Sequence, residues 1–410
     1  VSGSGQAWRV VGQGAAALAA GMGVGRFVYT PILPLMQAQA GLSPQTGADL
    51  ATANYVGYLL GAVAAIVAPG VFASRRALRS SLVILVATLV LMPAVHGGPA
   101  WASLRLVAGV VSALIFVVAA DAMLAGLRGH AHHLTGWAFG GIGAGIALSG
   151  VLVLVLRDVG TWQQAWWATA ALTALLSVPA WRLGGAATPP PRVGRRGLGE
   201  GTAPSPRVER RGLDRGAPPP GRRWFGVLLV SYTLEGTGYI IAGTFLVTAI
   251  EQSAPGPAGG LAWVLAGVAA LPSSALWAWL SRTWSRPALL VAALAVQAAG
   301  IALPVLVGGV VPALVSAALF GATFLGVATL ALAAGGHLRV PRAVAILTTG
   351  YSVGQILGPV VVTPLLRSGY RPALLVGAGL VALAAVAAGA LRHRFPHHLG
   401  PLPRRVRALP

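Results

Sequence analysis

Long apolar runs recur along the chain, each near the length that crosses a bilayer as a helix, with polar breaks between them. A spanning helix needs about 20 mostly apolar residues. On that measure twelve segments qualify: 10–37, 48–69, 80–96, 99–124, 134–156, 163–182, 224–250, 260–281, 288–309, 311–335, 342–366 and 372–391. Some breaks are brief, and "HGGPA" and "GGVVP" leave little room between neighbouring spans. The long break at 183–223 is built from Pro, Gly and Arg, cannot bury a core, and is expected to be a disordered basic linker. It divides an N-terminal bundle of six helices, 1–182, from a C-terminal bundle of six, 224–391, followed by a tail at 392–410.

The two halves repeat. "GVGRFVYTPIL" in span 1 lines up with "GTGYIIAGTFL" in span 7, and "GGIGAGIALSG" in span 5 with "GYSVGQILGPV" in span 11. The offset stays near roughly 210 residues in both comparisons, and weak internal repeats of this kind occur in many secondary transporters. The expected fold class is an all-α membrane protein of twelve transmembrane helices in two pseudo-symmetric bundles.

Composition agrees. The chain is 56% hydrophobic and 9% charged, with a mean hydropathy of +0.77, whereas soluble domains carry roughly 25% charged residues. Its net charge of +21 raises the question of nucleic acid, and the placement of the charges answers it. All 29 basic residues are arginine, and most fall on one side of the expected topology, in alternate loops, the linker and the tail. The opposite loops hold only Arg157, Arg367 and Arg371. Such asymmetry places the arginine-rich side and both termini in the cytoplasm. Nucleic-acid binding is therefore not expected, although the linker arginines are candidates for contact with anionic membrane lipids. With no cysteine, disulfides and thiolate metal sites are excluded. The first apolar stretch is too long for a signal-peptide core and is read as a retained span.

Ionisable residues inside the spans carry the candidate chemistry. An ion facing lipid at a helix centre costs at least about 2.5–3.5 kcal/mol, so such residues face the protein interior or water. Arg26 lies in the outer half of span 1, inside "GMGVGRFVYTPILPLMQ", followed by Pro31 and Pro34, which are candidates for an outer-gate kink or simply end the helix near the outer surface. Glu235 lies about 17 Å into span 7 at the helical rise, close to the midplane. Arg105 lies in the outer half of span 4. The arginines are candidates to hold an anionic group, since a guanidinium offers a planar fork to a carboxylate. Glu235 is a candidate proton carrier; alternatively it neutralises Arg26 or Arg105 as a structural pair. Tyr29, Asn54, Tyr58, Tyr232, Tyr239 and Gln355 are candidate cavity-lining polar groups, or interhelical ties. Every histidine falls in a loop, at a span end or in the tail, so haem ligation and an HExxH zinc site are unsupported. No metal and no cofactor are expected, and "HAHH" at 130–133 reads as a solvated turn.

The six-plus-six spans, the basic central loop, and the segments "GRFVYTPILPLMQ", "ATANYVGYLLGA" and "EGTGYIIAGTFL" together resemble the major facilitator superfamily, in its YbfB/YjiJ-type branch. In that superfamily spans 1, 4, 7 and 10 line a central cavity, which implies that Arg26, Arg105 and Glu235 face one another's cavity. The loop between spans 2 and 3 is similar to the GxxxDRxGRR motif. Here it reads "GVFASRRALR", keeping Arg75, Arg76 and Arg79 as gating candidates but lacking the acidic residue, and Asp121 is a candidate partner for them. "RLVAG" at 105–109 resembles the span 4 RxxxG motif. "GYSVGQILGP" resembles a glycine-rich antiporter motif but sits in span 11 rather than span 5, so it does not support antiport.

The resemblance implies no enzyme. It implies a monomeric secondary transporter of the bacterial inner membrane, moving a small organic solute by alternating access, with an anion as one candidate and protons as the coupling ion. Efflux of amphipathic drugs is an alternative, as is a non-transporting receptor or scaffold that reuses the fold.

Overall fold

In this computed structural model the described residues are 2–72, 74–127, 133–183, 221–253, 256–393 and 395–396. Most of the expected linker, "HAHH" apart from the backbone of His133, and nearly all of the tail lie outside them. Among the described residues the secondary structure is helical, with no strand.

The helices in chain order are α1 (Ser2–Leu18), α2 (Tyr29–Ala40), α3 (Pro44–Val67), the one-turn α4 (Pro69–Phe72), α5 (Arg75–Leu91), α6 (Gly98–Gly126), α7 (His133–Phe139), α8 (Gly141–Leu156) and α9 (Trp162–Ala180). After the linker come α10 (Arg222–Ser253), α11 (Ala258–Leu280), α12 (Arg286–Leu306), α13 (Val310–His337), α14 (Ala343–Val362) and α15 (Tyr370–Leu391). Ten helical segments among the described residues are long and apolar enough to cross a membrane, Gly5–Ala40 counting as one. The other two expected spans are present as α5 and α9, of 17 and 19 residues.

Their starts are written in local sequence. Ser43, Ser74 and Ser285 each accept a backbone N–H three residues on, and Thr161 with Gln164 closes a reciprocal capping box. The Ser74 cap draws Arg75, Arg76 and Arg79 into the first turns of α5 rather than leaving them in a loop. The tight links expected at "HGGPA" and "GGVVP" are made by Gly97, Gly308 and Gly309 at positive φ, a conformation that side chains with a Cβ resist.

The first span is where the pattern breaks. Between α1 and α2 the chain runs as a π-helix over Ala19–Val24 and then as turns over 25–28. Gly25 N–H reaches back five residues to Ala20 O, and Phe27 N–H to Met22 O. The interruption sits upstream of both prolines. Pro31 falls in the first turn of α2, where no intrahelical N–H is needed, and only Pro34 is interior. The glycines permit the break and the contacts around it: a Cβ on Gly23 would come within 2.6 Å of Gly145 Cα, and one on Gly21 within 2.7 Å of Ile115.

The glycine repeats noted in the sequence meet each other. Span 1 packs Gly23 on Gly145 of α8; in the second half a Cβ on Gly236 would lie 2.7 Å from Tyr351 O, and one on Gly354 2.4 Å from Thr233 O. α8 likewise packs closely on α11, where a Cβ on Gly143 would lie 2.5 Å from Leu271 N. Large apolar side chains that face outward, such as Val67, Leu175, Val311 and Val386, form the surface suited to hydrocarbon.

Candidate functional site

Broken helices at membrane depth free main-chain groups that something must satisfy. Here Arg105 of α6 does so: its Nη1 donates to Gly25 O at 3.3 Å and its Nη2 to Arg26 O at 3.2 Å. The Tyr29 ring lies 5.0 Å from the Arg105 guanidinium carbon, and the Tyr29 hydroxyl donates to Gly47 O at 2.9 Å. Asn54 Nδ2 donates to the Arg105 carbonyl at 2.9 Å, where α3 and α6 touch through Gly57 and Gly109. Three of the expected cavity residues, Tyr29, Asn54 and Arg105, thus bind backbone and fix the shape of span 1.

The break turns Arg26 toward the second half. Its guanidinium stands 4.0 Å over the Tyr58 ring, 5.2 Å from Tyr55 and 5.6 Å from Phe27. Its Nη2 donates to Gln355 Oε1 at 2.6 Å, and Gln355 Nε2 in turn donates to the Tyr239 hydroxyl. Arg26 and Arg105 are 3% and 2% exposed, yet no described carboxylate lies within ion-pair distance of either. The Nε of each has no hydrogen-bond partner. Arg26, Tyr58, Tyr239 and Gln355 are therefore brought into one cluster, a buried cation in an aromatic and carboxamide setting.

Glu235 is elsewhere. It is fully buried on α10, with the Gln297 carboxamide of α12 as its polar neighbour. Both carboxylate oxygens and both polar atoms of Gln297 are buried without a formed hydrogen bond. It makes no ion pair with Arg26 or Arg105, so the structural-pair alternative is not what the fold contains. Tyr239 stands within electrostatic reach of both Arg26 and Glu235, and Tyr351 and Tyr232 flank the carboxyl.

Around Tyr239 the rings fall into a nearly parallel row. Tyr232 and Tyr351 stack at 4.4 Å and Tyr351 and Tyr239 at 5.4 Å, and the row ends on Phe324 and Phe320 side by side, 6.2 and 6.3 Å from Tyr239 and 5.6 Å from each other. Phe27 meets Phe324 edge-on. Of these, Tyr351, Phe320 and Phe324 were not singled out from sequence, and neither were Tyr55 or Gln297. Gln297 carried a signal: it is the one amide in the otherwise apolar "LLVAALAVQAAGIALPVL".

The arginine-rich end differs from the expected gate. Arg75 donates to Arg182 O at 3.0 Å and Arg79 to Trp181 O at 3.2 Å, with Arg79 also over the Trp181 ring. These arginines cover the carbonyl end of α9, where the helix dipole favours cations. Asp121 is exposed and pairs with none of Arg75, Arg76 and Arg79. Without an acidic residue in that loop, the carbonyls are the nearest acceptors.

Polar links between the two halves run from mid-depth toward the arginine-poor end. Besides Arg26 to Gln355, Thr30 donates to Gly243 O, Tyr55 bonds Thr244, Gln37 donates to Tyr370, and Arg157 pairs with Glu251 at 3.3 Å.

Spans of this length, packed around a broken first helix and a buried cation, make a polytopic membrane protein of the major facilitator fold. A crystal structure of the nucleoside transporter NupG aligns over 93% of this chain and 99% of its own, with a TM-score of 0.63 at 14% identity. At that identity the likeness is one of fold. The chain belongs to the family described as "Uncharacterised MFS-type transporter YbfB", whose model matches residues 18–389. No curated protein matches the chain.

Proposed function

We propose that this transporter moves a small organic anion by alternating access, driven by proton movement at Glu235. The single observation that carries the reading is Arg26: a caged, buried cation inside a spanning segment with no described carboxylate to neutralise it. An uncompensated ion in a dry site is costly, and a bound anion removes that cost. Gln355 Oε1 occupies the guanidinium fork and is a neutral stand-in that an anion displaces.

Glu235 supplies the second half of the cycle. Protonation removes its charge from a site that offers it no cation and no formed hydrogen bond. The chain Arg26, Gln355, Tyr239 connects the anion site to the residues around Glu235, so occupancy of one site is felt at the other. Arg105 is a positioning residue that holds the break in span 1. Arg75 and Arg79 act at the cytoplasmic end through the end of α9, without Asp121. On this reading the arginine-rich end faces the cytoplasm, in a bacterial inner membrane, and the cross-links at the other end close the outer side. Efflux of flat neutral amphipaths is favoured by the ring row, but it leaves the buried Arg26 cation without a purpose.

Proteoliposomes given a mixed pool of organic anions and neutral solutes test this, with accumulation read by mass spectrometry. An imposed pH gradient is expected to drive uptake of anions, and Glu235→Gln to lose that drive while retaining exchange across the membrane. Uptake confined to neutral solutes, or an undiminished gradient response in Glu235→Gln, overturns it.

A further inference from the structure

The ligand class follows from two features that meet at Tyr239. The first is the directional vacancy of Arg26. Its Nη2 is engaged by a displaceable carboxamide and its Nε by nothing, although the side chain is almost fully buried. Nε and the adjacent Nη form the side-on face of a guanidinium, which two oxygens of one planar carboxylate match. Of the two buried arginines among the described residues, Arg26 is the one able to do this, because Arg105 has both Nη groups on Gly25 O and Arg26 O. The site therefore suits a single negative charge.

The second feature is the row of rings. Tyr239 accepts from the same Gln355 that Arg26 engages, so the row passes beside the anion site at that ring. At Tyr239 the row meets Phe324 and Phe320 of α13 side by side, their centroids 6.2 and 6.3 Å from that of Tyr239 and their planes within 6° and 15° of it. Phe320 and Phe324 are one turn apart on α13, but apolar packing does not require Tyr239 of α10 and Tyr351 of α14 to share their plane direction, since edge-to-face contacts are as favourable as offset stacks. A flat ligand ring, lying parallel to the row, is contacted on its face throughout. A puckered saturated ring of equal size is not.

Resting on the anion-transport reading, we infer that the cargo is an aromatic monocarboxylate. Its carboxylate takes the Nε and Nη face of Arg26 in place of Gln355, and its ring joins the row at Tyr239 and Phe324.

The test is binding to the purified full chain by calorimetry and thermal stabilisation. The probes are benzoate and 2-naphthoate, their saturated counterparts cyclohexanecarboxylate and decalin-2-carboxylate, and the neutral amides benzamide and 2-naphthamide. The aromatic acids are expected to bind at least tenfold more tightly than the saturated acids and the amides. Phe324→Leu is expected to erase most of the aromatic-over-saturated preference while keeping carboxylate binding. That retained binding shows that the variant is folded. Arg26→Gln is expected to lose the acid-over-amide preference.

Equal binding of saturated and aromatic acids overturns the ring assignment and leaves anion transport standing. Amides that bind as well as acids overturn the carboxylate assignment and the anion reading with it. No binding by either aromatic acid, in protein that still accumulates other anions under a pH gradient, overturns the aromatic class alone.

Discussion

Arg26 and Glu235 are handled by different physics. The arginine is tolerated in a membrane span because aromatic faces and a carboxamide surround it, each compatible with a weakly hydrated planar cation. The glutamate has no cation, and its polar neighbour is Gln297, placed on a separate helix. If Gln297 steers the carboxyl during proton exchange, Gln297→Leu weakens pH-driven accumulation several-fold while binding of benzoate or 2-naphthoate stays unchanged. A loss of binding in that variant, or no change in the pH response, argues for a packing role only. Gln297 stands out in sequence as an amide in an apolar span, but which acid it faces depends on how α10 and α12 pack. The charges themselves were legible; their pairing was not. Arg26, Arg105 and Glu235 read as one cavity set, whereas the fold gives each a different partner.

At the scale of elements, span 1 is held in an interrupted form by glycine on one side and Arg105 on the other. Gly23 has no room for a side chain against Gly145, and overpacking of this kind costs about 1–3 kcal/mol. Gly23→Leu is therefore expected to lower the melting temperature by several degrees and to weaken anion binding, since it displaces the turn that carries Arg26. Gly12→Leu, where nothing lies within 4 Å of the added Cβ, is expected to change neither. Equal effects of the two would show that the Gly23 contact is not what positions Arg26. The glycine repeat was visible in sequence, and its two members do pack against α8 and α14 as matched pairs. From sequence, Pro31 and Pro34 read either as a kink or as the end of the helix, and neither reading places the break at the glycines. The chain breaks at the glycines, because there a neighbouring helix is close enough to demand it and a guanidinium is present to satisfy the freed carbonyls.

For the whole molecule, the position of the cross-links defines the conformation. Thr30 to Gly243, Tyr55 to Thr244, Gln37 to Tyr370 and Arg157 to Glu251 hold the arginine-poor end together. Arg157 and Glu251 keep roughly a fifth of their side-chain surface exposed, so the pair can separate without leaving a fully buried charge. Glu251→Gln is expected to shift the population toward opening at that end. The chain has no cysteine, so Thr248→Cys, a buried position on α10, reports the change directly. Its labelling by a membrane-impermeant thiol reagent should accelerate several-fold in the Glu251→Gln background. An unchanged rate would remove the ion pair from the gate.

The class of protein was legible segment by segment. Apolar runs of spanning length, the one-sided arginines and the repeat are local properties, and local properties survive being read one segment at a time. Packing sets who meets whom inside the bundle: Arg26 with Gln355 and, through it, Tyr239, Arg105 with the carbonyls of span 1, Glu235 with Gln297, and five near-parallel rings around Tyr239. Those meetings join residues as far apart as 329 positions in the chain. They depend on helix rotation and crossing within a dry core, where an unmatched polar group is costly and the partner is set by proximity in space.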